Sequence, residues 1–396
     1  MPIFVIVAFV MILMYLTLQY RILVHTFHSP RTTLFKTSRV PVHSSSSDDA
    51  PLPKPLKYQD LYPRMDLENP HLDNVIRNTE LNIDEFMSED GCDFSALVNA
   101  FHPEKLQVNC NNFHELVQGE EIGEGYWRKA YLSTFRNKTV VIKRIQKELA
   151  EEYGKSSLRR RHTREAAILY QMRNSPHVVR MLGFCNDTSV MEYVPGNLKD
   201  IVLDENVAIS VKEALQLCLD AAKGIVALHT MSGGPVAHRD IDICQLLITK
   251  EGVLKVNDFN RLVYVGPNLL PGKSSEKCLY NSAVYGGKIR SPEEYDTEEE
   301  ETEKLDIYSL SLIFWQIQAR KTPFEDIEEE DVYEQVKAGT LLPSSEDMEN
   351  YPKAMQDLII DMLKRQPEDR PTAIQVVDRI TDILETFLEE EAGEKN

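Results

Sequence analysis

The hydrophobic and polar positions divide the chain into an uncharged first segment, a polar stretch and a long regular part. Residues 3–18 carry no charged side chain, and apolar positions return at Ile22, Leu23 and Val24. A helix that spans a bilayer needs roughly 17–25 mainly apolar residues. A cleaved signal peptide would usually show a basic start and a small-residue cleavage site. We therefore interpret residues 1–24 as an uncleaved transmembrane anchor, with a cleaved signal peptide as the alternative.

The stretch from residue 25 to residue 112 is typical of a linker or N-terminal extension. Prolines at positions 41, 51, 53 and 55 prevent regular helix, and four serines at 44–47 precede two aspartates. Segments of this composition stay extended or flexible. We expect this part to be partly disordered, and no function is indicated for it.

Residues 113–390 have a regular pattern in which strands come first and helices follow. β-branched residues dominate Thr139–Ile145, as is typical of a buried strand. From Val211 onward, apolar positions such as Ala214, Leu217 and Ala221 recur with a helical period. Further helices are predicted over 158–172, 306–318, 330–338, 354–363 and 373–388. The order predicts an α+β fold of two lobes, a small β-rich N-lobe and a larger helical C-lobe, followed by an acidic tail at 391–396.

Composition narrows the function classes. The 396-residue chain has a formal net charge of −19, so nucleic acid is excluded as a general partner. The six cysteines show no CxxC motif and no metal-ligand spacing. Cys218 lies in an apolar helical stretch and is expected in the core. Cys92 and Cys110 could pair if the compartment were oxidising.

The side of the membrane depends on opposing signals. Arg21, Arg31, Lys36 and Arg39 all follow the apolar segment, and no Lys or Arg precedes it. The positive-inside rule then places the bulk of the chain in the cytoplasm. Two glycosylation sequons, which begin at Asn137 and Asn186, are about as many as chance supplies. They leave a lumenal location open.

A glycine pair and a lysine in the strand-rich part suggest phosphate binding. Gly123 and Gly125 lie between two predicted strands, where glycine lets the backbone approach phosphate oxygens; a plain hairpin turn is the alternative. Lys143 lies inside the third strand among apolar residues, where an ammonium group needs a partner. Glu165 on the next predicted helix is the natural counter-ion. A surface lysine on an edge strand is the alternative.

Two acidic residues stand in short motifs in the helical part. These motifs are His238-Arg239-Asp240 and Asp258-Phe259-Asn260, with the hydrophobic run Leu246–Ile248 between them. Two carboxylates joined by a strand, a turn and a strand can place a base and a metal ligand around one phosphate.

With these motifs in place, residues 122 to about 379 resemble a eukaryotic protein kinase catalytic domain. Ser291-Pro292-Glu293 resembles the end of the activation segment, and Arg370 resembles its salt-bridge partner. Asp306–Leu310 resembles the start of the central buried helix. The order and spacing of these motifs match the family along about two thirds of the chain.

The resemblance implies a role for each matching residue. Asp240 would accept the proton of the substrate hydroxyl, Lys143 would hold the α- and β-phosphates of ATP, and Glu165 would pair with Lys143. Asp258 and Gln245 would bind Mg²⁺. The residues expected to bind ATP are Ile122, Gly123, Gly125, Ala130, Lys143, Glu192, Val194 and Leu247.

Four departures from the family pattern bear on activity. Arg128 replaces the third glycine of the phosphate loop, and Asp242 replaces the catalytic-loop lysine, which puts an adverse charge near phosphate. Gln245 replaces the metal-binding asparagine but keeps a carbonyl oxygen. Asn260 replaces a glycine, and we expect Asn to tolerate a positive φ there.

We therefore predict a membrane-anchored, ATP- and Mg²⁺-dependent kinase of protein hydroxyl groups, with Ser or Thr favoured over Tyr. Its predicted partners are ATP, a protein substrate and the membrane. The alternative is a catalytically impaired pseudokinase that acts as a membrane-anchored scaffold.

Overall fold

The computed structural model describes residues 56–57, 100–125, 127–146, 155–269, 273, 275–278, 280, 286–296 and 298–394. The predicted anchor at 1–24 and most of the predicted linker lie outside the described residues. Among the helices of the described part, none is long and apolar enough to cross a membrane.

A five-stranded antiparallel sheet forms the small lobe. After a two-residue strand, β1 (Leu56–Lys57), the sheet contains β2 (Leu116–Glu124), β3 (Arg128–Phe135), β4 (Lys138–Ile145), β5 (Met181–Cys185) and β6 (Thr188–Glu192). The strand order is β2-β3-β4-β6-β5. Val140 and Ile142 on β4 are buried, as expected for alternate residues that face one side of a sheet. The strand predicted at 139–145 corresponds to β4.

Helix α1 (Lys155–Gln171) follows the first three strands of the sheet and contributes the buried run Ala166–Leu169 to the core.

A segment that precedes the sheet in the chain is packed on the sheet. Val108 forms an isolated parallel bridge with Gly183, and the Phe184 N–H donates to the Val108 carbonyl oxygen at 3.1 Å. A Cβ atom on Gly183 would lie 2.4 Å from the Cβ of Val108, so this close approach requires glycine.

A disulfide ties the same segment to the sheet. Cys110 is bonded to Cys185 at the end of β5. The expectation that Cys110 could pair with Cys92 is therefore wrong. The pairing could not be derived from spacing, because the two half-cystines are 75 residues apart and meet only through the docking of Val108 on Gly183.

Helices dominate the large lobe. They are α2 (Leu198–Val202), α3 (Val211–His229), α4 (Lys304–Ala319), α5 (Glu329–Lys337), α6 (Lys353–Met362) and α7 (Ala373–Glu394). A capping box begins α3, in which the Ser210 hydroxyl and the Glu213 side chain satisfy each other's backbone N–H groups. The α4 side chains are buried on every face from Leu305 to Ile317, which is typical of a central helix.

Short strands line the boundary between the lobes. The strands β7 (Gly196–Asn197), β10 (Leu246–Ile248) and β11 (Leu254–Val256) form one small sheet. In separate pairs, β8 (Val207–Ala208) lies parallel to β1, and β9 (Val236–Ala237) lies antiparallel to β12 (Val263–Tyr264). A β-sheet small lobe with a helical large lobe confirms the predicted α+β architecture.

A buried ion pair joins the end of the activation segment to the large lobe. The Arg370 guanidinium binds both carboxylate oxygens of Glu293, at 2.7 and 2.8 Å, and both side chains are fully buried. Arg370 also donates to the carbonyl oxygens of Lys364 and Lys304. The pairing predicted from the resemblance is therefore present.

We expect Arg370→Ala to lower the free energy of unfolding by about 3–5 kcal/mol, because it leaves the Glu293 carboxylate buried and unpaired. Urea denaturation of the purified protein would measure the loss. Lys353→Ala is the matched control, since Lys353 forms an exposed pair with Asp357 on one face of α6 that contributes about 0.3–0.5 kcal/mol. Equal losses in the two variants would contradict this role of Arg370.

Candidate active site

The candidate site lies between the lobes, where three backbone segments are held in register. Gly123 on β2 is opposite Ala130 on β3, and Ala130 is opposite Lys143 on β4. In the large lobe, Leu246 on β10 pairs with Val256 on β11. The sheets therefore bring the glycine turn close to Lys143, and the catalytic loop before β10 close to Asp258 after β11.

One buried carboxylate fixes the catalytic loop. Asp306 at the start of α4 accepts hydrogen bonds from the backbone N–H groups of His238 and Arg239, at 2.7 and 3.0 Å, and lies 3.0 Å from His229 Nε2. The loop backbone is unusual, because Arg239 has a φ of 62°. Residues held in this left-handed region by surrounding contacts are common at active sites, and here the contact is the buried Asp306 carboxylate. The next residue, Asp240, lines a cleft between the loop and residues 287–290.

Two arginines contact the predicted base. Oδ1 of Asp240 lies 3.4 Å from Arg261 Nη1 and 3.5 Å from Arg290 Nη2. Arg290 also donates to the backbone oxygen of Arg239 and to Glu294. Neither arginine was predicted as a site residue. Their contacts with Asp240 depend on the folded positions of Arg261 and Arg290, which the spacing of the motifs does not show.

Asp258 interacts with two cations of the small lobe. Its Oδ1 lies 3.3 Å from Lys143 Nζ and 3.2 Å from Arg128 Nη2. Lys143 Nζ also donates to Asn257 Oδ1 at 3.4 Å. Lys143 and Asp258, predicted from separate motifs, are therefore in direct contact.

The predicted ion pair between Lys143 and Glu165 is not the one observed. Glu165 on α1 is bound by both terminal nitrogens of Arg128, with Nη2 3.1 Å from Oε1. Arg128 and Glu165 are both buried, and the Arg128 guanidinium lies 4.3 Å from the centre of the Trp127 ring. The planar guanidinium can hold a carboxylate with two parallel hydrogen bonds, which an ammonium group cannot. Arg128 therefore forms the ion pair with Glu165, and Lys143 contacts Asp258 instead.

Electrostatics keep the predicted metal ligand charged. Burial alone raises the pKa of the Asp258 carboxyl, but the positive charges of Lys143 and Arg128 outweigh it, so that this pKa lies below its ordinary value. A carboxylate that stays ionised near neutrality suits a hard divalent cation.

The structure gives Asp242 a role in the catalytic loop itself. Its Oδ1 accepts a hydrogen bond from the Cys244 N–H at 3.0 Å, so it caps the short 3₁₀ helix Ile243–Gln245. The carboxylate is engaged by the loop backbone. Asp242 therefore has a structural function as a helix cap, although its charge is adverse near phosphate.

Asn260 also differs from the expectation. The positive φ in this motif falls on Asp258, at 63°, and Asn260 is not among the described residues with a positive φ. Asn260 instead donates its side-chain amide to Asp258 Oδ2 at 3.2 Å. The prediction that Asn260 is tolerated for its backbone was wrong, because its contribution is a side-chain bond to the metal ligand.

The residues predicted to bind ATP lie on strands or directly beside them. Ile122 lies next to Gly123 on β2, Leu247 lies on β10, and Val194 follows the last strand of the sheet. The Glu192 side chain is bound to Lys255 Nζ at 2.6 Å and to the Arg180 N–H at 2.8 Å. The N–H of Gly125, which was predicted to bind phosphate, instead donates to the Arg128 carbonyl oxygen at 2.8 Å and closes the turn.

The donor set is compatible with magnesium. Asp258 and Gln245 carry the carboxylate and carbonyl oxygens that Mg²⁺ prefers, and Mg²⁺ in kinases takes few protein ligands because substrate phosphates supply others. The Gln245 backbone oxygen accepts the Asn257 N–H at 2.9 Å, which places the two predicted ligand segments side by side. In the described residues, no group of three or more His, Cys, Asp or Glu side chains could hold a metal without such a substrate.

His162 lies behind the charge network on α1. It is buried against the rings of Trp127 and Phe184, and neither ring nitrogen has a hydrogen-bond partner in the described part of the chain. Burial, with the nearby charges of Arg128 and Lys143, holds the pKa of His162 well below its ordinary value. The ring therefore stays neutral, and protonation would oppose folding.

Comparison with known proteins now identifies the class. The sequence profile of the family described as "Protein kinase domain" matches residues 116–380. The chain therefore belongs to the protein kinase family, as the sequence motifs predicted.

Individual relatives match about two thirds of this chain. The chain is 28% identical over 277 residues to "Probable serine/threonine-protein kinase drkA" of Dictyostelium discoideum, covering 69% of this chain and 40% of the relative. It is 28% identical over 278 residues to "Serine/threonine-protein kinase 12" of Arabidopsis thaliana, covering 68% and 56%. "Dual specificity protein kinase shkE" of Dictyostelium discoideum is 28% identical over 277 residues, with 68% and 36% covered. The matched region thus spans only about a third to a half of these relatives.

The observed pairing can be tested by double-mutant cycles on unfolding free energy. We expect a coupling of about 2–3 kcal/mol between Arg128→Met and Glu165→Gln, because the two buried side chains are in direct contact. Lys143→Met with Glu165→Gln should couple by less than about 0.5 kcal/mol. A larger coupling for Lys143 than for Arg128 would restore the pairing expected from the resemblance.

His162 gives a prediction for stability against pH. Its folded-state pKa is lowered, so stability is complete above the unfolded-state pKa of about 6.5 and falls below it, by about 1.4 kcal/mol per pH unit, until the folded-state pKa is reached. We expect His162→Phe to remove this part of the acid sensitivity, as measured by urea denaturation between pH 7.5 and pH 5. His114→Gln, at an exposed site, is the control. Identical profiles for wild type and His162→Phe would contradict the prediction.

Proposed function

We propose that the chain is an active ATP-dependent protein kinase that transfers the γ-phosphoryl group to a protein hydroxyl, with Ser or Thr favoured over Tyr. The observation that carries the proposal is the contact of Lys143 with Asp258 at 3.3 Å. The contact supports the proposal because phosphoryl transfer needs a phosphate-binding cation and a metal ligand close together, and Asp240 follows as the base in the catalytic loop. The names of most of the similar relatives support the preference for Ser or Thr.

In this mechanism the protein mainly positions charges, since phosphoryl transfer asks for little covalent chemistry from the enzyme. Asp240 accepts the proton of the acceptor hydroxyl, and Arg261 and Arg290 hold its carboxylate in place. Lys143 holds the α- and β-phosphates. Mg²⁺, held by Asp258 and Gln245, would neutralise charge on the phosphates of ATP.

Arg128 supports this mechanism indirectly. In the observed arrangement Arg128 holds Glu165 and α1, and Lys143 contacts Asp258. Lys143 is therefore not needed for the ion pair with Glu165 and is the cation available to bind phosphate. Arg128 is therefore a positioning residue in our proposal.

A second candidate function is a catalytically impaired scaffold. Asp242 favours it, because a carboxylate replaces the lysine that normally steadies the γ-phosphate. The bond that closes the glycine turn at Gly125 favours it as well.

We also propose that residues 1–24 anchor the protein in a membrane, on the basis of their uncharged apolar run.

Turnover measurements on Asp240→Asn test the enzyme proposal. We expect magnesium-dependent phosphoryl transfer from ATP to a mixture of Ser, Thr and Tyr peptides to fall by roughly 10²–10⁴-fold, because the variant lacks the general base. Asp357→Asn, at an exposed position on α6, should retain wild-type turnover. Background turnover in the wild type, equal to that of Asp240→Asn, would exclude catalysis. Thermal stabilisation by ATP with and without Mg²⁺ would then show whether the scaffold binds nucleotide.

A further inference from the structure

The disulfide between Cys110 and Cys185 bears on where this domain folds. It joins the segment before the sheet to the end of β5, at the edge of the small lobe. Cys278, in the activation segment, is also disulfide-bonded. The free cysteines of the described part are Cys218 and Cys244, and the first is buried in α3. Disulfides therefore occur in two separate regions of the domain.

The pairing is integral to the fold. Phe101 is buried against the rings of Tyr170 and Phe184, and Val108 bonds to the β5 backbone on both sides of Gly183. Cys110 directly follows this docked segment. Thiols in the cytoplasm are kept reduced, so structural disulfides of this kind persist in the secretory pathway or outside the cell.

The hairpin between β3 and β4 presents a sequon to solvent. Arg136 and Asn137 form its tip, with φ values of 48° and 63°, as a two-residue type I′ turn requires. Asn137, Lys138 and Thr139 are all exposed. An oligosaccharide on Asn137 would extend away from the sheet and from the cleft.

The second sequon is placed differently. Asn186 is exposed, but Thr188 is buried and its hydroxyl accepts a hydrogen bond from Arg144 Nε at 3.2 Å. Asp187 between them is paired with Arg159. This turn also adjoins the Cys185 half of the disulfide. Asn137 is the less constrained acceptor.

We propose that the kinase domain folds on the lumenal or extracellular side of the membrane, where the Cys110–Cys185 disulfide forms and Asn137 carries an N-linked oligosaccharide. The basic residues that follow the apolar segment argue for the cytoplasmic side, but the positive-inside rule is a statistical bias on short loops. The disulfide, by contrast, fastens a segment of this domain whose Phe101 and Val108 are buried in the core.

Both reactions use reagents of that compartment. The thiols of Cys110 and Cys185 lose two protons and two electrons, and a disulfide-bearing oxidoreductase accepts them as two thiols. The Asn137 amide nitrogen forms a bond to the anomeric carbon of a polyprenyl diphosphate-linked oligosaccharide. The bond from that carbon to the phosphate oxygen breaks, the polyprenyl diphosphate leaves and the amide loses one proton.

The test uses the full chain expressed in cultured eukaryotic cells. Thiols are blocked with an alkylating reagent during lysis, before any reduction, and peptides are mapped by mass spectrometry. We expect a linked Cys110–Cys185 peptide and alkylated Cys218 after denaturation. We also expect a peptide N-glycosidase to increase the mobility of the protein, and Asn137→Gln to remove one glycan. Asn186→Gln is the matched control for the loss of a sequon.

Three outcomes would overturn the proposal in whole or in part. Alkylated Cys110 and Cys185 together with no glycan would place the domain in the cytoplasm. Unchanged glycosylation in Asn137→Gln, or its loss only in Asn186→Gln, would reject the assigned acceptor. An alkylated Cys110 in a glycosylated chain would reject the disulfide. None of these readouts depends on catalysis, so failure of the kinase proposal would leave them unaffected.

Discussion

The carboxylate of Asp258 is shared by two cations of the small lobe, and the arrangement of the site depends on that contact. Lys143 comes from β4 and Arg128 from the start of β3, while Asp258 belongs to the large lobe. Through its second contact, to Glu165, Arg128 extends the network to α1. One group of buried and half-buried charges therefore sets the positions of sheet, helix and metal ligand together.

This network divides two tasks that the family resemblance assigns to Lys143 alone. Holding α1 and holding phosphate both require a cation, and a single ammonium group that serves both must share its bonds. Here the buried guanidinium of Arg128 binds Glu165 with two nitrogens, so the position of α1 does not depend on Lys143. The residue that replaces a loop glycine thus supplies a second cation. Its cost is a less mobile turn, which the Gly125 bond also indicates.

The sequence predicted those parts of the molecule that depend on period and on fixed motifs. The predicted helix at 306–318 and the observed α4, Lys304–Ala319, differ little, because its apolar residues mark a central helix unambiguously. The ion pair of Arg370 with Glu293 followed from the resemblance. The partner of Glu165 did not, because choosing between Lys143 and Arg128 depends on the burial of Trp127 and Arg128, which spacing does not show. The capping role of Asp242 was not predicted either, because motif spacing does not show that its side chain bonds to the Cys244 N–H.

The disulfide, unlike the positive charges after the apolar segment, could not be predicted from the sequence. Basic residues after an apolar run are counted directly in the sequence, whereas the disulfide depends on Val108 reaching Gly183 across the edge of the sheet. An exposed sheet edge invites pairing with other chains, and this segment covers the β5 edge with its own backbone. Fastening the cover through Cys110 and Cys185 restricts the unfolded chain as well as the folded one. Reduction of the disulfide would remove this restriction, so we expect it to lower the free energy of unfolding of the domain.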